Sequence, residues 1–311
     1  MKRAALALLL SIALLSVGCD DSSSSSPTSQ GSTTEELLGA LFAPPTEAET
    51  TLIASQWAAR GVQVEGAVVE SAFTMSIALP ANLVDFGIPQ EWTKAATAKL
   101  RIVSHIVDGF RHNGALLVPD GAGPYPVLVF AHPGDNGIAT LDLDMFLQSM
   151  GSLRDSIAIV IPSFRSEPID LVSQGTWLSE GTPSPWDRDI EDMRALLRVC
   201  ARLDAKLDTT RVAVAGYSRG GGVALLAAER DSVFKSVATI AAPTSFQGPW
   251  IRELADSLLA GGEVDLPGVD FIDSAVLQKL KIGRISMDSA RRELIRRSAA
   301  TWVRRLPADV Q

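Results

Sequence analysis

The chain has 311 residues, 46% of them hydrophobic and 21% charged, with 24 glycines, 17 prolines and two cysteines. This excludes a collagen-like repeat, a chain disordered throughout and a disulfide-built scaffold, and the length suits one α/β domain with additions or two small domains. A net charge of −8 argues against a nucleic-acid partner, which needs a basic face. Only three histidines occur, His105, His112 and His132. No Cys/His spacing suits a metal ion, and no cofactor is expected.

Lys2 and Arg3 precede an apolar run from Ala4 to Leu15. Its 12 residues are too few for a membrane-spanning helix, which takes roughly 20, and suit the apolar part of an export signal. Ser16-Val17-Gly18-Cys19 follows and resembles the lipobox of bacterial lipoproteins, with Leu15 four places before the Cys instead of the usual three. The resemblance implies a signal peptide over 1–19 and a lipid on Cys19. It also implies a membrane partner through that lipid, in a bacterial envelope facing the periplasm or the exterior. Simple secretion is the alternative. The Asp- and Ser-rich stretch beginning at Asp20 is too polar to bury a core, and a tether is expected over 20–46. Cys200 lies in a helical pattern and is expected to be a small buried apolar residue.

Further on, strands and helices alternate. Glu47 to Arg60 reads as a helix ended by Gly61, and Val62 to Ile77 as one strand or two, within an extension over 47–98. Lys99–Asp108 and Phe110–Pro119 read as a hairpin turning at Asp108-Gly109. Four apolar runs, Tyr125–Ala131, Ile157–Ile161, Arg211–Ala215 and Val237–Ala241, read as strands buried on both faces. Asp187–Leu203 and Gly220–Arg230 read as helices between them. Such alternation predicts an α/β fold, a mainly parallel sheet with flanking helices and right-handed crossovers.

Gly216-Tyr217-Ser218-Arg219-Gly220 is a G-x-S-x-G pentapeptide between a predicted strand and a predicted helix. That context is the one a nucleophile elbow requires. Ser218 is the candidate nucleophile, with Gly216 and Gly220 allowing close backbone approach. The Arg219 N–H, at the helix start, would face a developing oxyanion. His132-Pro133-Gly134-Asp135 follows an upstream strand. Pro133 has no N–H, so Gly134 or Asp135 would supply a second donor, with His132 bracing the loop.

PVLVFAHPGDNG at 126–137, PWDRDIEDM at 185–193 and RVAVAGYSRGGG at 211–222 together resemble the α/β-hydrolase superfamily. The nearest look is the prolyl oligopeptidase and dipeptidyl peptidase branch, over about 99–311, without its β-propeller. The resemblance implies a serine hydrolase forming an acyl-enzyme on a small ester or peptide substrate. In this superfamily the acid and then the His follow the Ser. No His follows Ser218 here; Asp256, Asp265, Asp270 and Asp273 are available as acids. A helical cap is expected over about 250–303, with the last strands and helix of the fold missing. Three explanations stay open: C-terminal truncation, a pseudo-hydrolase, or a nonstandard base such as His132. As this chain stands, the hydrolase is expected to be inactive or weakly active, unless a nonstandard base serves Ser218. The second function class is a non-catalytic envelope lipoprotein using the same pocket for binding.

Two further features have alternatives. Trp177, Trp186 and Trp250 fall in predicted loops and suit either a substrate pocket or the core. The arginines from Arg291 to Arg305 suit a solvated helix with one apolar face, or an anionic-lipid or nucleic-acid site.

Overall fold

The computed structural model describes residues 33–172, 174–263 and 269–307. The expected signal segment, Cys19 and most of the expected tether lie outside the described residues. No helix among the described residues is long and apolar enough to cross a membrane.

The expected tether ends earlier than position 46. Helix α1, Thr34–Leu41, starts at a capping box in which Thr33 and Glu36 bond each other's backbone N–H. It buries Leu38 and Leu41. The correction has a compositional cause: the polar run stops where Leu37, Leu38, Leu41 and Phe42 begin. Helix α2, Glu47–Ala59, opens on a second capping box, Thr46 with Glu49.

Next come β1 (Val64–Ile77), β2 (Ala96–Val107) and β3 (Phe110–Leu117). The hairpin between β2 and β3 turns where expected. Asp108 and Gly109 both adopt positive φ, 53° and 81°, which two-residue hairpin turns of this hand demand. Then follow β4 (Tyr125–Ala131), β5 (Ile138–Ala139), α3 (Thr140–Ser149), β6 (Ala158–Pro162), β7 (Pro168–Leu171) and β8 (Gly175–Leu178). The chain continues through α4 (Arg188–Leu203), β9 (Leu207–Tyr217), α5 (Arg219–Arg230), β10 (Phe234–Ile240) and α6 (Pro249–Leu259). Helical turns between Val269 and Lys281 precede α7 (Met287–Arg297) and the short helix Ala299–Trp302.

The main sheet has seven strands in the order β1-β2-β3-β6-β4-β9-β10. The pairs β6–β4, β4–β9 and β9–β10 are parallel; the first three strands pair antiparallel. The fold is thus α/β, with the strands that carry the motifs parallel and helices on their flanks. A separate sheet joins β5, β7 and β8.

One face of the main sheet is covered over its central strands. Val127, Val129, Val212 and Val214 meet Ile190, Met193 and Leu196 of α4 and Val223 and Leu226 of α5. On the other face α3 packs Leu143 and Leu147 against Ile159 and Ile161. Burial on both faces therefore holds for β6, all of whose residues are buried. It fails for β4, β9 and β10: Leu128, Phe130, Ala213 and Ala215 are half-buried, and Ala238 and Ile240 exposed. The reason is coverage, since among the described residues α3 is the helix that packs on that face and it reaches only part of it.

The stretch expected as a cap is helical, but its apolar residues join the core beneath α4 and α5. Ile251, Ala255, Leu294, Ile295 and Trp302 belong to the same buried cluster as Val223 and Leu226. Three of its arginines, Arg291, Arg296 and Arg297, are buried and not solvated. Arg291 donates to Glu49 at 2.7 and 2.9 Å and to the carbonyls of Ala40 and Ala43, closing the C-terminal end of α1. The Arg291 hydrogen bond holds the Glu49 carboxyl down at about 2, against a smaller effect of burial. Arg297 donates to Pro185 O at 2.9 Å and lies over the Phe271 ring. Arg304 and Arg305 are exposed. Cys200 is fully buried, with its thiol pushed up to about 12 by burial.

Candidate active site

Ser218 sits between β9 and α5 with φ 52° and ψ −122°. Positive φ at a non-glycine residue outside the left-handed helical region costs of order 1–3 kcal/mol and survives only where its surroundings enforce it. Here they do. The Ser218 N–H donates to Ile240 O at 2.8 Å, and Ser218 O accepts from the Gly221 N–H at 2.9 Å. Ser218 is partly exposed.

The flanking glycines are required by contact. A Cβ on Gly216 would lie 2.1 Å from Gly220 O, and one on Gly220 2.0 Å from Ala131 O and 2.6 Å from His132 O. The first turn of α5 is therefore pressed against the end of β4, where Ala131 pairs with Gly216. Arg219 opens α5, so its N–H has no partner inside the helix.

The loop after β4 lies alongside. Gly134 and Gly137 have φ of 69° and 77°. A Cβ on Gly137 would meet Pro168 O at 2.0 Å, so the loop is packed onto β7. Gly134 O accepts from Arg219 Nη1 at 3.0 Å. Gly134 is half-buried and Asp135 exposed.

A buried polar cluster ties these pieces together. Besides Gly134 O, the Arg219 guanidinium bonds Glu167 through Nη1, and Asp189 at 2.9 Å through Nη2. It also stacks over Phe164, 5.0 Å from the ring centroid. Asp189 accepts from Trp186 N, and Trp186 Nε1 donates to Arg219 O at 3.1 Å. Burial would push the Glu167 carboxyl up, but the His132 ring and the Arg219 guanidinium outweigh it and hold it below its ordinary value. Burial prevails at Asp189 and raises it despite Arg219.

His132 is buried, and each ring nitrogen lies against another group. Nδ1 lies 2.9 Å from Pro133 O, and Nε2 3.2 Å from Glu167 Oε2, near enough for an ion pair though poorly aligned for a hydrogen bond. His105 and His112 pair across β2 and β3, buried, and burial pushes them down to about 4 and about 3, so both are neutral. No side chain among the described residues bonds Ser218 Oγ.

The structure therefore brings Ser218, Arg219, Gly216, Gly220, Gly134 and His132 to one corner, with Asp135 at its rim. The acid–histidine pair found there, Glu167 with His132, is not bonded to the Ser218 hydroxyl. Asp256 and Asp270 are exposed, Asp273 bonds Gln278, and Asp265 lies outside the described residues. Trp250 is exposed, Trp177 stacks on Phe73, and Trp186 lies buried behind Arg219. The motif did not reveal Glu167, Asp189 and Trp186. The available signal was charge: an arginine inside an elbow must be neutralised, and the acids of 187–192 lie on the buried side of α4.

No protein-family model and no curated protein matches the chain. Among solved structures it is similar to acetyl xylan esterase 1 from Thermoanaerobacterium sp. JW/SL YS485, at 15% identity and TM-score 0.49, over 90% of this chain and 82% of that one. It is similar to the Pyrococcus horikoshii acylaminoacyl peptidase at 15% identity and TM-score 0.44, over 68% of this chain and 37% of that one. The DcsB complex with its substrate analogue is matched at 21% identity and TM-score 0.41, over 52% of each chain. The chain thus spans about half of DcsB and little over a third of the peptidase. The α/β fold itself is established by the strand order and pairing described above.

Proposed function

We propose that the chain carries the nucleophile half of an exported α/β-hydrolase site. In this reading Ser218 attacks the carbonyl of a small ester or peptide, and Arg219 N–H with Gly134 or Asp135 N–H receives the oxyanion. The observation that carries it is the enforced positive φ of Ser218 at a strand-to-helix turn. That turn holds the hydroxyl out beside the start of α5, where backbone dipoles favour negative charge. His132 acts as a brace between Pro133 O and Glu167, positioning the loop.

Proton removal is the weak step. An unassisted serine hydroxyl is a poor nucleophile. In a serine protease where it was measured, loss of the histidine costs about 2 × 10⁶ in kcat. The test is fluorophosphonate labelling of the 311-residue chain, with and without imidazole as a supplied base. Slow labelling, confined to Ser218, lost in Ser218→Ala and accelerated by imidazole, supports the reading. Labelling that survives Ser218→Ala would place the nucleophile elsewhere. Because no base among the described residues bonds the Ser218 hydroxyl, a second reading stands beside it, a binding lipoprotein without catalysis. Complete absence of labelling, with or without imidazole, favours that one.

The basic start, short apolar run and Gly18-Cys19 support a lipid anchor at Cys19 in a bacterial envelope. Cells fed a fatty-acid analogue should label the protein, and Cys19→Ala should not be labelled. Equal labelling of both would rule the anchor out.

A further inference from the structure

A cavity of about 300 Å³ opens beside the elbow, walled by Trp92, Phe130, Pro133, Phe146, Tyr217 and Ile240. Three of these walls are bound to the candidate machinery. Tyr217 immediately precedes Ser218, Pro133 immediately precedes Gly134, and Ile240 O receives the Ser218 N–H. A carbonyl carbon attached to Ser218, with its oxygen toward Gly134 and Arg219 N–H, would direct its remaining substituent along this wall.

The wall chemistry selects that substituent. Phe130 and Phe146 stack with centroids 3.7 Å apart. Among the described residues no Lys, Arg or His lines the cavity. Of its polar lining groups, the Asp142 carboxylate accepts from Ala139 N, and the Ser149 hydroxyl donates to Phe146 O. An anionic ligand would therefore meet a carboxylate and no cation. By contrast, the smaller depression of about 160 Å³ on the Arg219 side is lined by Asp135, Arg165, Glu167 and Asp270. Ile240, also in the cavity wall, leaves 68% of its surface exposed.

From this geometry we infer that the cavity is an acyl pocket, taking a neutral unbranched acyl chain. The inference rests on Ser218 being the nucleophile. The volume, about 300 Å³, lies at the lower end of small-ligand pockets and holds at most about ten carbons at roughly 30 Å³ each, the liquid share of a water molecule. Asp142 disfavours acyl groups that end in a carboxylate.

Two probe series separate the pocket from the nucleophile. The first is n-alkanols from butanol to tetradecanol, titrated by tryptophan fluorescence against the full chain and Ser218→Ala. Affinity should rise about fourfold per added CH₂, level off at about ten carbons, and be the same in Ser218→Ala. Met145→Trp, which fills the cavity from α3, should lower octanol affinity at least tenfold. Ile240→Asp, at an exposed position, should do likewise should the first variant fail to fold. The second series is n-alkylboronic acids. There the Ser218 oxygen bonds to boron, its proton passes to buffer, and a tetrahedral boronate anion forms with the alkyl group on the acyl side. These should show the same slope plus an increment lost in Ser218→Ala. Affinity independent of chain length in both series, or unaffected by either pocket variant, overturns the acyl pocket. A normal slope with no Ser218-dependent increment leaves the pocket standing and removes the nucleophile instead.

Discussion

Arg219→Leu should destabilise the protein by about 3–5 kcal/mol, the usual cost of removing one partner from a buried ion pair. The guanidinium is 3% exposed and bonds two carboxylates, Glu167 and Asp189, themselves buried. Without it, among the described residues the Asp189 carboxylate keeps the Trp186 N–H, and that of Glu167 the His132 ring. At roughly 2–4 °C per kcal/mol for a domain of this size, the melting temperature should fall by about 10 °C. The decisive comparison is the double variant Arg219→Leu with Asp189→Asn. It removes one of the stranded charges and should recover part of the loss, whereas Asp189→Asn alone should be destabilising. Additive effects of the two substitutions would mean that the cluster does not act as a unit.

The second large effect is expected at Gly220. In Gly220→Ala the new methyl would lie 2.0 Å from Ala131 O and 2.6 Å from His132 O, both backbone atoms. Neither can rotate away, so α5 must back off from the end of β4. Overpacking typically costs 1–3 kcal/mol, and about 3 kcal/mol is expected where two carbonyls resist. The displacement would also separate Ser218 from the Gly134 loop. Two controls rank the effect. Gly134→Ala meets no neighbour within 4 Å but must hold φ at 69°, costing about 1–2 kcal/mol. Gly39→Ala, in open space within α1, should stabilise by about 0.5–1 kcal/mol. Denaturant unfolding should order the variants Gly39→Ala, parent, Gly134→Ala, Gly220→Ala from most to least stable. A Gly220→Ala variant as stable as the parent would contradict the close approach of α5 to β4.

Much of this architecture is local and was therefore legible in the sequence. The apolar run at 125–131 is β4 to the residue, because a strand edge is set by where apolar side chains stop. Asp108-Gly109 makes the hairpin turn because few other pairs adopt positive φ twice. G-x-S-x-G places Ser218 at the strand-to-helix turn because its glycines are forced by backbone contact. Burial on both faces of β4, β9 and β10 could not be judged from their apolar content, since that depends on which helices pack above them.

Tertiary structure alone decided the electrostatics. Arg219, Arg291 and Arg297 look like surface residues in a sequence, yet each is buried because a distant segment meets it: Glu167 and Asp189, Glu49 and the end of α1, and Pro185 O respectively. Such pairings span from 30 to about 250 residues and leave no periodicity to read. The same holds for the apolar cavity, whose walls come from Trp92, α3, β4, β9 and β10. Hydrophobic spacing specifies which face of an element is buried. Only the packed chain specifies what that face meets, and the pairing of a buried charge depends entirely on what it meets.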